Sequence, residues 1–213
     1  MKAEPLEKRA RRLIRGLRSL YPDSDCALHH RNALELLVAT ILSAQCTDER
    51  VNRVTPELFL RYRTAADYAA ADVSELEELI RSTGFFRNKA KSIIGLGQGL
   101  MARHEGQVPD RMEQLVELPG VGRKTANVVL GTWFSQPAIP VDTHVIRLSN
   151  RLGLTDQKDA VKIELALQKL FPRKDWTFSS HSLIWHGRRV CKARNPACEI
   201  CGLAADCPSA FEH

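Results

Sequence analysis

Cys191, Cys198, Cys201 and Cys207 fall within 17 residues near the end of a 213-residue chain, spaced C-x6-C-x2-C-x5-C. Four thiols so close can surround one compact centre, and Pro196 and Gly202 supply the turns that wrapping needs. The chain opens on MKAEPLEKRARR with no apolar run behind it, so nothing reads as a secretory signal. The longest stretch without a charge, residues 125–141, contains Pro137 and Pro140 and is shorter than the roughly 20 apolar residues a membrane span needs. A soluble intracellular protein is therefore expected, with no membrane partner. In that setting four close thiols are metal ligands rather than disulfides. Spacing alone leaves zinc and an iron–sulfur cluster both open, because each accepts four thiolates. Cys26 and Cys46 stand apart and read as small buried residues or inert thiols.

Elsewhere the pattern is helical. LEKRARRLIRGLRSLY places Leu6, Ala10, Leu13, Ile14, Leu17 and Leu20 on one stripe with the cations opposite. Asn32 can cap ALELLVATILSA, which is apolar nearly all round and so reads as a buried central helix. Further helices are expected from Asp48, from Thr64, and from Ser74, where Ser74 and Glu77 make a capping-box pattern ended by Gly84. Residues 86–104, 111–117, 123–134, 142–152, 156–171 and 175–187 supply the rest. Almost nothing alternates at period two, so an all-α fold is expected, without a repeat or a low-complexity tract. Hydrophobic residues at 44% and charged residues at 26% exclude disorder and fibrous classes.

The net charge is +6, and its distribution says more than its size. Residues 1–18 hold seven cations against two anions and residues 171–195 hold six against one, whereas residues 67–78 carry five acids and no base. Two basic ends suggest a basic face suited to a polyanion.

Within residues 111–134, RMEQLVELPGVGRKTANVVLGTWF, one helix runs into Leu118-Pro119-Gly120-Val121-Gly122 and a second begins near Arg123. Pro119 stops the first helix, and the two glycines permit positive φ and close backbone approach. Amides at the second helix start would face outward, where a phosphate can accept them with help from the helix dipole. A Gly-Val-Gly turn is common in proteins that bind nothing; the full string LPGVGRKTA is far more specific. Lys124 follows the turn directly, and 18 residues later comes Val141-Asp142-Thr143-His144, with Asp142 placed to cap a helix.

LPGVGRKTA resembles the hairpin of helix-hairpin-helix DNA-binding proteins, which hold a strand by its backbone without reading sequence. Combined with Asp142 it resembles the helix-hairpin-helix glycosylase superfamily, and ILSAQCTD, VDTHVIRLSNRL and the four cysteines are similar to the bacterial endonuclease III family. The likeness runs over nearly the whole chain. It implies two α-helical domains separated by a DNA-binding cleft: a six-helix bundle over residues 26–136 with its helix-hairpin-helix at about 111–134, and a discontinuous domain over 1–25 and 137–213 with an iron–sulfur loop at 191–207.

The implied activity is base-excision repair of double-stranded DNA carrying damaged pyrimidines or abasic sites. A DNA glycosylase removes an oxidised pyrimidine, and an AP lyase nicks 3′ to the abasic site. Lys124 would be the nucleophile on C1′ and Asp142 the electrostatic and proton-accepting partner. A flipped base leaves a hole, which Gln45 and Phe85 would fill from two loops. The family usually has an aliphatic residue where this chain has Phe85, so Phe86 is a second candidate. DNA contacts are expected at Leu118, Gly120, Val121, Gly122 and Arg123, and at Arg188, Arg189, Lys192 and Arg194 around the first cysteine. The cofactor implied at the four cysteines is a [4Fe–4S] cluster. His181 and His186 lie five apart, poor geometry for shared ligation on one helix face, and read as packing or DNA-proximal residues. A monomer acting in the bacterial cytoplasm at the nucleoid is expected. An adenine-mismatch glycosylase would normally lack the hairpin lysine and place a glutamate in the segment matching ATILSAQC. A thymine-mismatch enzyme of the family would differ at Lys124. A non-catalytic DNA-binding module would not need both Lys124 and Asp142.

Overall fold

The computed structural model describes residues 4–212, so residues 1–3 and 213 of the expected domain spans lie outside the described residues. Every regular element among the described residues is a helix. The helices are α1 (Leu6–Leu20), α2 (Ala33–Leu42), α3 (Asp48–Arg61), α4 (Ala65–Ala69), α5 (Val73–Ile80), α6 (Phe86–His104), α7 (Met112–Val116), α8 (Arg123–Thr132), α9 (Thr143–Arg151), α10 (Ala160–Leu170) and α11 (Trp176–Arg189). Short 3₁₀ turns lie at Arg81–Thr83, Arg173–Asp175, Cys198–Ile200 and Ala204–Asp206. None of the helices is long and apolar enough to cross a membrane among the described residues.

The chain divides into two compact units, Cys26–Gln136 and Met1–Asp25 with Pro137–His213. In the continuous unit, α2 is buried along nearly its whole length, as an all-round apolar helix must be, and Asn32 caps it by accepting from the Glu35 amide at 2.9 Å. Helix α6 turns Lys89, Ala90, Ile93, Leu96, Gly97 and Leu100 inward. A Cβ at Gly97 would stand 2.6 Å from the Ala69 nitrogen and 2.7 Å from the Ala65 oxygen, so glycine there lets α4 lie directly on α6.

In the discontinuous unit, Ala10, Leu13, Ile14 and Leu17 of α1 form a core with Val145 and Leu148 of α9, Ile163 and Leu167 of α10, and Leu183 of α11. Cys191, Cys201 and Cys207 pack against that same core, which fixes the cysteine loop to the helices by apolar contact.

Several helix boundaries differ from the sequence expectation. Helix α5 is capped by Asp72, which accepts from the Glu75 amide at 2.9 Å, so no Ser74–Glu77 box forms. A capping box does form at Thr64 and Asp67. Helix α10 begins at Ala160 rather than 156 because Asp159 takes the Lys162 amide, while Gln157 donates to the Thr155 hydroxyl in a preceding turn.

Candidate active site and metal centre

The hairpin of α7 and α8 is held by what it buries. Leu118 and Val121 are 3% and 5% exposed, and the Val121 amide donates to the Leu118 carbonyl at 3.1 Å. These two side chains plug the turn into the continuous unit, so of the residues assigned to DNA they can offer only backbone. Pro119, Gly120, Gly122, Arg123 and Lys124 remain exposed. The two glycines are not equivalent. Gly120 has φ +77°, and a Cβ there would stand 2.7 Å from the Ser92 Cβ, so it is required by the fold. Gly122 has ordinary φ and open space within 4 Å of where its Cβ would be. It caps α8, no side chain closes the helix start, and the first turn carries no acid. The positive end of α8 is thus presented to solvent, with Arg123 and Lys124 on its first turn.

This contrast yields a clean test. Gly122→Val should leave folding intact and weaken binding to all duplexes alike, by roughly tenfold or ~1.4 kcal/mol, measured by fluorescence anisotropy. Gly120→Val should destabilise the protein itself.

Besides Glu105 and Ser135, two non-glycine residues of the continuous unit have left-handed backbone: Gln45 at φ 52° and Phe85 at φ 48°. Both are exposed, Phe85 at 61%, and Gly84 at φ 71° precedes it to complete a sharp corner. Phe86 is half-buried, its ring lying 5.6 Å from each of the Arg81 and Arg87 guanidinium carbons. Of the two phenylalanines, Phe85 is the one that projects.

Asp142 caps α9, its Oδ1 accepting from the Val145 amide at 2.9 Å. Burial holds the neighbouring His144 imidazole below its ordinary pKa, against the opposing pull of the Asp142 charge. The other end of α9 is committed to the cysteine loop. Arg147 Nη2 donates to the carbonyls of Gly187 and Cys191 at 3.0 and 2.9 Å. Arg151 donates to the carbonyls of Lys192 and Ala193 at 2.7 and 3.0 Å, and its Nη1 lies 3.4 Å from the Cys191 sulfur.

All four thiols of the loop line one hollow, otherwise walled mainly by Leu148, Leu152, Val190 and Pro196. Among the described residues no three metal-binding side chains are gathered around one bare ion; the thiols ring the hollow instead. Burial pushes the Cys201 and Cys207 thiols up, while backbone amides of Leu203, Ala204 and Ser209 act in the opposite sense. Iron would reverse the effect of burial, since a coordinated thiol is deprotonated outright. The residues therefore fit the cluster: Cys191, Cys198, Cys201 and Cys207 would hold it, and helix-borne arginines brace the loop. His186, 2% exposed and pushed down to about 4 by burial, sits 3.4 Å through Nε2 from the Cys201 sulfur and 2.9 Å through Nδ1 from the Tyr21 hydroxyl. His181 and His186 are both buried and thus packing residues.

Arg188, Arg189, Lys192 and Arg194 are exposed. Arg189 lies over the Trp185 ring at 4.2 Å, which orients it on α11. Sequence reasoning missed Arg147, Arg151 and Lys89; it named His186 as a packing or DNA-proximal residue, and the contact of its Nε2 with the Cys201 sulfur is what the structure adds. Only Lys89 carried a signal, being the single charge on the inward stripe of α6.

Residues 38–173 match the family of HhH-GPD superfamily base excision DNA repair proteins, and residues 191–207 match the iron–sulfur binding domain of endonuclease III. Endonuclease III of Synechocystis sp. is 55% identical over 205 residues, 96% of this chain and 94% of that protein. A non-covalent endonuclease III–DNA complex superposes with TM-score 0.92 at 45% identity over 97% of both chains. A trapped endonuclease III–DNA covalent intermediate gives 0.93 at the same identity and coverage. The chain belongs to the endonuclease III family of base excision DNA repair proteins, and the cofactor of its cysteine loop is the [4Fe–4S] cluster.

Proposed function

We propose that this protein is a bifunctional DNA glycosylase and AP lyase that removes oxidised pyrimidines from double-stranded DNA and nicks 3′ to the abasic site. The observation that carries this reading is Lys124, exposed on the first turn of α8 immediately behind the hairpin, in a chain 45% identical to an endonuclease III trapped covalently on DNA. The neutral Lys124 Nζ attacks C1′ and the C1′–N bond breaks, its electron pair leaving with the base. Asp142 supports the positive charge that develops on the sugar and accepts the proton the amine loses. The sugar ring then opens: the C1′–O4′ bond breaks, O4′ takes a proton and C1′ becomes doubly bonded to Nζ. This imine acidifies the C2′ proton, whose removal expels the 3′ phosphate, and water then frees Lys124. When bound, the cluster would brace the loop that carries Lys192 and Arg194, while Arg188 and Arg189 stand at the end of α11 just before it, and all four cations are offered to phosphates.

The continuous unit is the domain that brings the hairpin and Lys124, and Gln45 and Phe85 enter the duplex where the base has left. The discontinuous unit brings Asp142 and the cluster loop. The acting form in this proposal is a monomer in the bacterial cytoplasm at the nucleoid. Duplexes carrying thymine glycol, an abasic site or an adenine mismatch discriminate the readings in a nicking assay: the first two should be cut and the third left intact. Cutting confined to the adenine mismatch would replace the substrate class.

Two further outcomes follow. The purified protein should be yellow-brown with broad visible absorption, and Cys198→Ser should lose that colour and bind DNA more weakly as residues 188–207 loosen. DNA affinity should fall steeply with salt, since hairpin amides and loop cations meet phosphates rather than base edges.

A further inference from the structure

Lys89 is the most deeply buried cation in the continuous unit, 5% exposed on the inward face of α6. Its Nζ donates to the Leu42 carbonyl at 2.9 Å and to the Thr83 carbonyl at 2.8 Å. These acceptors end two separate elements. Leu42 is the last residue of α2, and Thr83 is the last of the 3₁₀ turn that follows α5. Terminal carbonyls of a helix have no partner within it, and a cation there is favoured by the dipole. Each element then breaks at once into a left-handed corner, Gln45 three residues beyond Leu42 and Phe85 two residues beyond Thr83. A non-glycine residue in that conformation persists only where its surroundings hold it.

We infer that Lys89 is a positioning residue that ties together the bases of the two loops bearing Gln45 and Phe85, so that both side chains enter one lesion as a single rigid pair. A carbonyl-to-carbonyl bridge through one nitrogen fixes the distance between the loop bases as no apolar contact could, because packing tolerates sliding and two hydrogen bonds do not. Burial lowers the Lys89 pKa, with nearby Cys46 acting the other way, but an amine keeps at least two N–H donors in either protonation state. Nothing else in the fold asks for a lysine here. The remaining inward positions of α6 are Ala90, Ile93, Leu96, Gly97 and Leu100. An apolar residue at 89 would continue that stripe and leave two buried carbonyls unpaired.

The function of the tie rests on the proposal that Gln45 and Phe85 enter DNA, so its test reads the tie and the entry separately. Amide hydrogen exchange on the full-length, cluster-loaded protein reads the tie. In Lys89→Met, peptides covering 43–46 and 83–86 should both exchange about tenfold faster, while α9 and the cysteine loop keep their rates. Lys89→Gln, which keeps N–H donors on a shorter stem, should fall between wild type and Lys89→Met. A 2-aminopurine placed opposite a tetrahydrofuran abasic analogue reads the entry. Its fluorescence gain on binding should shrink several-fold in Lys89→Met, with preference for the abasic duplex down about tenfold and affinity for undamaged duplex unchanged. Unaltered exchange in both loops of Lys89→Met overturns the inference. Equal loss of protection throughout residues 26–136 in both variants also overturns it, since Lys89 would then be a general core residue. If exchange responds as expected while Gln45→Ala and Phe85→Ala leave the 2-aminopurine signal intact, the tie stands and the entry of those two side chains is what fails.

Discussion

Lys124→Ala is expected to abolish strand nicking and borohydride trapping altogether while the protein keeps its fold, its colour and its grip on DNA. The expectation follows from where the side chain stands. Lys124 is exposed on the first turn of α8, and the turn beneath it is held by Leu118, Val121 and Gly120, none of which touches the amine's role. Losing the ammonium removes one cation from a helix start that retains Arg123 and its outward amides, so binding should change by under a kcal/mol, the scale of one exposed charge. Trapping, by contrast, requires a Schiff base, and α8 carries no lysine besides Lys124. Borohydride reduction on an abasic duplex, read by denaturing gel, should show an adduct with wild type and none with the variant. An undiminished adduct would remove Lys124 from the reaction and with it the lyase assignment.

Asp142→Asn is expected to lower turnover by about a hundredfold or more, as removal of one preorganised electrostatic stabiliser does, with stability and DNA affinity nearly unchanged. The structure makes this variant unusually discriminating. Asp142 is an N-cap, with Oδ1 accepting from the Val145 amide at 2.9 Å, and asparagine accepts that bond equally well. Helix α9 is moreover held at its far end by Arg147 and Arg151, so it does not depend on its cap for its place. If capping were the whole of the residue's role, single-turnover rates on thymine glycol duplexes would match wild type. A large drop in rate with an unchanged melting temperature separates the charge from the cap. Asp142→Ala should add to the rate defect a loss of stability of about 1 kcal/mol from the unmade cap.

How far the sequence speaks depends on whether an interaction is local. The stripe of Ala10, Leu13, Ile14 and Leu17 is legible because a helix repeats every 3.6 residues, and those four are indeed buried. The hairpin is legible because Pro119 and Gly120 constrain the chain where they stand. The start of α5 shows the limit even of local signals. Asp72 and Ser74 are both good caps, and the helix takes Asp72, which accepts from the Glu75 amide, a choice between neighbours that their own residue types do not state. Lys89, Arg147 and Arg151 escape notice for a different reason. Each donates to backbone between 6 and 47 residues away, to carbonyls that every residue type possesses. Carbonyl acceptors leave no mark in the sequence. The open space at Gly122 is equally invisible there, since the letter is the same as at Gly120, where the backbone forbids any other residue.

The grip of Arg147 and Arg151 on the start of the cysteine loop has a consequence for cluster binding. None of those bonds involves metal: they end on the carbonyls of Gly187, Cys191, Lys192 and Ala193. The first ligand, Cys191, is thus placed against α9 by protein contacts alone. The far half of the loop is anchored as well: Leu203 lies in the core and Arg12 donates to Asp206 at 2.8 Å. A cluster would therefore join two segments that the chain itself already holds, and less chain entropy is left for it to offset.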